Sequence, residues 1–105
     1  MERISTVEKF QEITSTEQPV IVKFTAGWCP DCHFIDPFMP EVAQKFSSFT
    51  FVKVDRDQFI DLCIELDVFG IPSFIAFENG AELGRFVSKD RKTQEQIEQF
   101  IAGLK

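Results

Sequence analysis

Residues 28–33 read Trp-Cys-Pro-Asp-Cys-His, and this stretch holds most of the reactive side chains of the 105-residue chain. Two cysteines separated by two residues, Cys29 and Cys32, suit a reversible dithiol–disulfide pair or half of a zinc site. With His33 directly after the second cysteine, they also match the pattern of covalent haem attachment. Haem would need a further axial ligand, and the methionines are Met1 and Met39, the latter on the apolar stripe of the following helix. Zinc needs four ligands. The candidates are Cys29, Cys32, His33 and Cys63, and Cys63 falls on the apolar stripe of a different helix, where a free cysteine acts as a small hydrophobe. Dithiol chemistry is therefore favoured, with zinc binding kept as an alternative.

A thiol attacks a disulfide only as its thiolate, and a free cysteine with a pKa of about 8.5 is only slightly ionised at neutral pH. Cys29 stands where a strand gives way to a helix, so it faces the unpaired N–H groups and positive end of that helix. Pro30 suits the first helical turn. Cys32 lies one turn further in and is expected to be more buried. Cys29 is thus assigned as the attacking thiol and Cys32 as the resolving one. Asp31, between them, disfavours a second negative charge nearby. It biases the pair towards a reductant rather than a strong oxidant.

These residues need a scaffold. The β-branched run Val20–Ala26 predicts a strand buried on both faces, and FTFVKVD (49–55) predicts the next strand. Between them, Phe34, Ile35, Phe38, Met39, Val42 and Phe46 follow helical spacing, with Pro37 predicting a kink. Ser5–Glu8 has capping-box spacing before a helix over 6–14. A further helix is expected over 57–66, carrying Phe59, Leu62, Cys63 and Leu66. Asn79-Gly80 joins strands 73–77 and 81–87 in a hairpin, and Thr93 with Gln96 caps a last helix. The predicted order is α β α β α β β α, a mixed sheet with helices on both faces.

Composition bounds what this scaffold serves. Eleven basic against seventeen acidic residues give a net charge of −6, which argues against nucleic-acid binding. No apolar run approaches a membrane span, and the N-terminus lacks a signal-like segment, so a cytoplasmic protein is expected. Thirteen Phe and no Tyr suggest a Phe-filled core that needs no buried hydroxyl partners.

The stretch VIVKFTAGWCPDCHFIDP (20–37) resembles the active-site strand, loop and kinked helix of thioredoxins, and GIPSFIAFENG (70–80) is similar to their later strand and hairpin. The resemblance extends over 5–104. It implies a single α/β domain, 1–105, of thioredoxin-like fold, with a central mixed sheet of four or five strands flanked by four helices. It also implies a cis bond between Ile71 and Pro72, an Ile71 backbone offered to substrate, and a Trp28 shielding the dithiol. The function implied is thiol–disulfide exchange, mainly reduction of protein disulfides. No cofactor is expected beyond the Cys29–Cys32 pair. The expected chain is a monomer recharged by an NADPH-dependent flavin reductase.

Three positions depart from the thioredoxin pattern. Pro30-Asp31 stands where Gly-Pro is usual. Lys23 occupies the place of a buried strand acid credited with moving the resolving thiol's proton; it could favour a thiolate, act uncharged as a base, or pack its stem while its amine reaches water. Ser88 replaces a glycine near the substrate groove. His33 is read as an exposed helix residue, with modulation of the thiols as its functional alternative. A binding module that keeps the fold without thiol turnover is the remaining alternative.

Overall fold

Buried on nearly every residue, Val20–Thr25 can only be a central strand, and it is. The computed structural model describes residues 1–104. This strand, β2, pairs in parallel with β3 (Thr50–Asp55) and antiparallel with β4 (Ser73–Glu78). The edges are β1 (Glu2–Arg3) beyond β3 and β5 (Ala81–Phe86) beyond β4, giving the order β1-β3-β2-β4-β5. The sheet has five strands. β1 has only two residues, both exposed, and so carries no hydrophobic alternation by which sequence could reveal it.

Period-two alternation sends β2 side chains to two separate cores. Val20, Val22 and Phe24 meet Phe10 of α1 (Val7–Thr14) and Cys63 of α4 (Ile60–Glu65). Ile21, on the opposite face, meets Met39 and Val42 of α3 (Met39–Lys45) and Ile97 and Ile101 of α5 (Gln94–Ala102). Phenylalanines 10, 24, 51, 59, 74 and 77 are buried, so the rings do fill much of both cores.

Several local rules hold. Pro37 breaks the long helix into α2 (Pro30–Ile35), a 3-10 turn (Asp36–Phe38) and α3, so the four expected helices include one that is kinked. Asn79 and Gly80 take φ of 54° and 81°, the left-handed pair that a two-residue hairpin needs. Thr93 and Gln96 form a reciprocal capping box.

Three expectations shift. The cap of α1 is Thr6, whose Oγ1 accepts from the Lys9 N–H at 3.0 Å, and not Ser5. Sheet pairing reaches Ile4, whose N–H donates to the Lys53 carbonyl, which leaves Thr6 as the last extended residue. The helix expected over 57–66 begins only at Ile60, because the Asp55 carboxylate takes up the Asp57 and Gln58 N–H groups in a tight turn. Phe34 leaves the core and is 42% exposed, since the 3-10 turn rotates the helix beyond it.

Candidate active site

The chain leaves β2 at Thr25 and turns through Ala26–Trp28 into α2. Cys29 is the N-cap of that helix: its φ and ψ are −88° and 112°, and its Sγ accepts the Cys32 N–H at 3.1 Å. The backbone thus supplies the sulfur with the N–H contact that stabilises a thiolate. Pro30 fills the first helical position. The two sulfurs lie at disulfide-bonding separation, with their Cα atoms 5.2 Å apart.

Both cysteines are buried, Cys29 at 4% and Cys32 at 1% exposure, so solvent access alone hardly separates them. The surface groove does. Cys29, Trp28, Phe69, Gly70, Ile71 and Lys89 line it, and Cys32 does not. The Cys29 Sγ lies 3.9 Å from the Ile71 carbonyl oxygen, and the Ile71–Pro72 bond is cis. Trp28 stands at the groove's rim, 58% exposed, its indole N–H donating to Asp57 at 2.6 Å while the Arg56 guanidinium lies 5.1 Å over its ring. Phe69, 81% exposed, forms another part of the lining. Sequence reasoning missed it. The available signal was a bulky ring next to Gly-Ile-Pro, outside any helical stripe.

Lys23 is not the solvent-reaching lysine that a packed stem would suggest. It is 4% exposed, and its Nζ donates to Asp36 Oδ1 at 2.9 Å. The carboxylate comes from the end of α2, one helical turn beyond Cys32. His33 borders the same corner: its Nε2 lies 2.6 Å from the Gly27 carbonyl, and its Nδ1 lies 3.6 Å from Asp36 Oδ2. Lys53 is directly beside Lys23 in the β2–β3 register. His33 is exposed, as expected.

On the other flank, Asp31 accepts from Arg91 Nε at 2.9 Å. Ser88 does not line the groove. Its hydroxyl accepts from the ammonium of Lys92 and the N–H of Asp90, and its carbonyl accepts from Ser73 and Lys92. Its backbone instead abuts Gly70. Burial pushes the Lys92 ammonium below the ordinary lysine range. Burial also pushes the Cys63 thiol up, which makes it a poor nucleophile in its own core.

Among the described residues, no group of three or more His, Cys, Asp or Glu side chains is placed to hold a metal ion. No described helix is long and apolar enough to cross a membrane.

Comparison with known proteins accords with this geometry. The thioredoxin family profile matches residues 2–103. A thioredoxin H-type from Fagopyrum esculentum is 39% identical over 80 residues, covering 76% of this chain and 69% of that protein. A thioredoxin H-type from Picea mariana is 35% identical over 96 residues, covering 91% and 74%. The crystal structure of thioredoxin from Trypanosoma brucei brucei superposes with a TM-score of 0.85 at 28% identity, over 95% of this chain and 86% of that one.

Proposed function

The chain belongs to the thioredoxin family and is a thiol–disulfide oxidoreductase with protein-disulfide reductase activity, and we propose that Cys29 and Cys32 carry its turnover. One observation carries the assignment: a helix-capping sulfur opens on a groove beside the Ile71 carbonyl, with a second sulfur within bonding reach.

The Cys29 thiolate attacks one sulfur of a substrate disulfide, forming a mixed disulfide and expelling the other substrate sulfur as thiolate. Cys32 loses its proton and attacks the Cys29 sulfur, releasing the second substrate thiolate. Two electrons have then passed from the dithiol to the substrate, and the two expelled thiolates take up the protons the dithiol loses. Trp28, Ile71 and Phe69 wall the groove in which an extended segment lies, and Pro72, outside the lining itself, follows Ile71 through the cis bond. The protein then acts in a reducing compartment such as the cytoplasm, as a monomer recharged by an NADPH-dependent flavin reductase.

A glutathione redox titration with thiol trapping tests the assignment. The expected result is one two-electron transition in which Cys29 and Cys32 are trapped together while Cys63 keeps its thiol throughout. A transition involving Cys63, or trapping of Cys29 without Cys32, overturns it.

Release needs an acceptor for the Cys32 proton, and the Lys23–Asp36 pair stands at the end of the same helix, one turn beyond Cys32. Asp36 follows Cys32 by four positions, the spacing of neighbours on one side of a helix. Only the lysine of this pair is buried; the Asp36 side chain is 49% exposed, so an apolar chain in place of Lys23 leaves a carboxylate that water can solvate. Lys23→Met is therefore expected to change unfolding free energy by no more than about 1 kcal/mol while slowing release from a pre-formed Cys29 mixed disulfide on the order of tenfold. Stopped-flow measurement of that release, beside a denaturation curve, checks both parts.

A further inference from the structure

We propose that Arg91 is a positioning residue for the dithiol, acting through Asp31 to offset a carboxylate that otherwise opposes ionisation of Cys29. This rests on the assignment of Cys29 as the attacking thiol.

Arg91 reaches α2 from the loop between β5 and α5, 60 residues away in sequence from Asp31. Two contacts hold it. Its Nε donates to Asp31 Oδ1 at 2.9 Å, and its guanidinium carbon lies 4.3 Å from the centre of the Phe34 ring. Residues 31 and 34 are neighbours on one helical face, so the arginine spans a single turn of the active-site helix. Phe34, carried out of the core by the 3-10 turn, offers its ring to this stacking.

The loop beneath is tied down, so Arg91 does not sample the surface freely. Lys92, 1% exposed, donates through Nζ to the Ser88 carbonyl, the Ser88 hydroxyl and the Asp90 carbonyl at 3.1, 3.1 and 2.9 Å. Ser73 Oγ donates to the same Ser88 carbonyl at 3.3 Å. The backbone that carries Arg91 is thereby pinned to the strand that follows Pro72.

Stability is not what the pair provides. Its side chains are 55% and 32% exposed, and ion pairs that open to solvent contribute little to folding. Asp31, however, lines the same groove as Cys29. A negative charge there disfavours the thiolate, and a cation bonded to it cancels most of that field. The other charged groups around the dithiol are Arg56 and Lys89 in the groove, Asp57 beneath Trp28, Asp90 and the buried Lys92 in the loop, and His33, Lys23 and Asp36 on the far side of the helix. None of these bonds to Asp31, which makes its pairing with Arg91 separable by substitution.

The sign follows. Removing the cation weakens the thiolate, raises the thiol's pKa, and so destabilises the reduced form at neutral pH relative to the disulfide. The pair becomes more reducing. Removing the Asp31 charge does the reverse.

The test is the pH profile of iodoacetamide alkylation in reduced protein, with the modified cysteine assigned by mass spectrometry, alongside the glutathione equilibrium. Arg91→Gln is expected to slow alkylation of Cys29 at pH 7 about threefold, the effect of a partly screened charge, and to shift the equilibrium towards disulfide. Arg91→Lys keeps most of the wild-type rate, Asp31→Asn raises it, and Arg91→Gln in the Asp31→Asn background has less than half its single effect. An Arg91→Gln profile that overlays the wild type, or an undiminished effect without Asp31, overturns the proposal. If the first thiol alkylated is not Cys29, the underlying assignment fails instead.

Discussion

Cys29→Ser is expected to abolish disulfide reduction, by at least about a thousandfold in kcat/KM, with little change in the folded structure. The serine oxygen is smaller than the cysteine sulfur, so it enters this buried site without a clash. They differ greatly in acidity. The N-cap position accepts a single backbone N–H, from Cys32, and this can help a thiol ionise near neutral pH but leaves a serine hydroxyl fully protonated. Cys32→Ser has a different signature. The first attack proceeds, no neighbour displaces the substrate, and a covalent complex through Cys29 accumulates. Intact-mass analysis after exposure to a disulfide-bonded protein distinguishes the two variants. Equal trapping by both, or turnover by either, removes the assigned order of attack. Comparison with reduced wild-type protein keeps the absent crosslink out of any stability difference.

The distinction matters because exposure does not select the nucleophile. Cys29 and Cys32 are both buried, and what differs is that the groove reaches one of them. That groove joins the turn after β2 to the cis Ile71–Pro72 segment, two parts of the chain that no local pattern connects. The features legible in sequence are those whose physics is local. Asn79-Gly80 demands left-handed backbone, Thr93 and Gln96 satisfy each other's N–H groups, and Pro37 interrupts a helix. Each involves residues within a few positions of one another. The CxxC at a strand–helix junction belongs to the same class, so the sulfurs and their helix end were legible as well.

What sequence concealed depends on partners far along the chain. Lys23 occupies a strand position that reads as an intrusion of charge into a core. Its answer, Asp36, sits on a helix whose register depends on the Pro37 break. Asp31 reads as an unopposed acid until Arg91 arrives from the β5–α5 loop. Phe34 reads as core because helical spacing continues through it, yet the 3-10 turn carries the stripe away. β1 adds a fifth strand through two exposed residues whose pairing with β3 leaves no compositional trace. For Lys23, Asp31 and β1 the deciding interaction is tertiary, and periodicity carries no information about it.

The tertiary join at Gly70 gives the second large expected effect. A Cβ at this position would lie 2.4 Å from the Ser88 carbonyl carbon and oxygen and from the Lys89 nitrogen. All three are backbone atoms, so no side chain can swing aside to make room. Gly70→Ala must separate the segment before Pro72 from the loop that follows β5. The same displacement moves the Ile71 carbonyl from its 3.9 Å approach to the Cys29 sulfur and loosens the Ser73–Gly70 hydrogen bond of 2.6 Å. Overpacking against rigid backbone costs about 1–3 kcal/mol, and misplacing a substrate wall by an ångström costs on the order of a hundredfold in rate. The variant is therefore expected to lose both stability, read by denaturant unfolding, and kcat/KM, read by reduction of a protein disulfide. Gly27→Ala supplies the contrast within the same site. Nothing lies within 4 Å of its added Cβ, so its unfolding free energy should stay within about 0.5 kcal/mol of wild type. If Gly70→Ala proved as benign as Gly27→Ala, the wall beside Cys29 would not depend on close contact between these two loops, and substrate positioning would have to come from elsewhere in the groove.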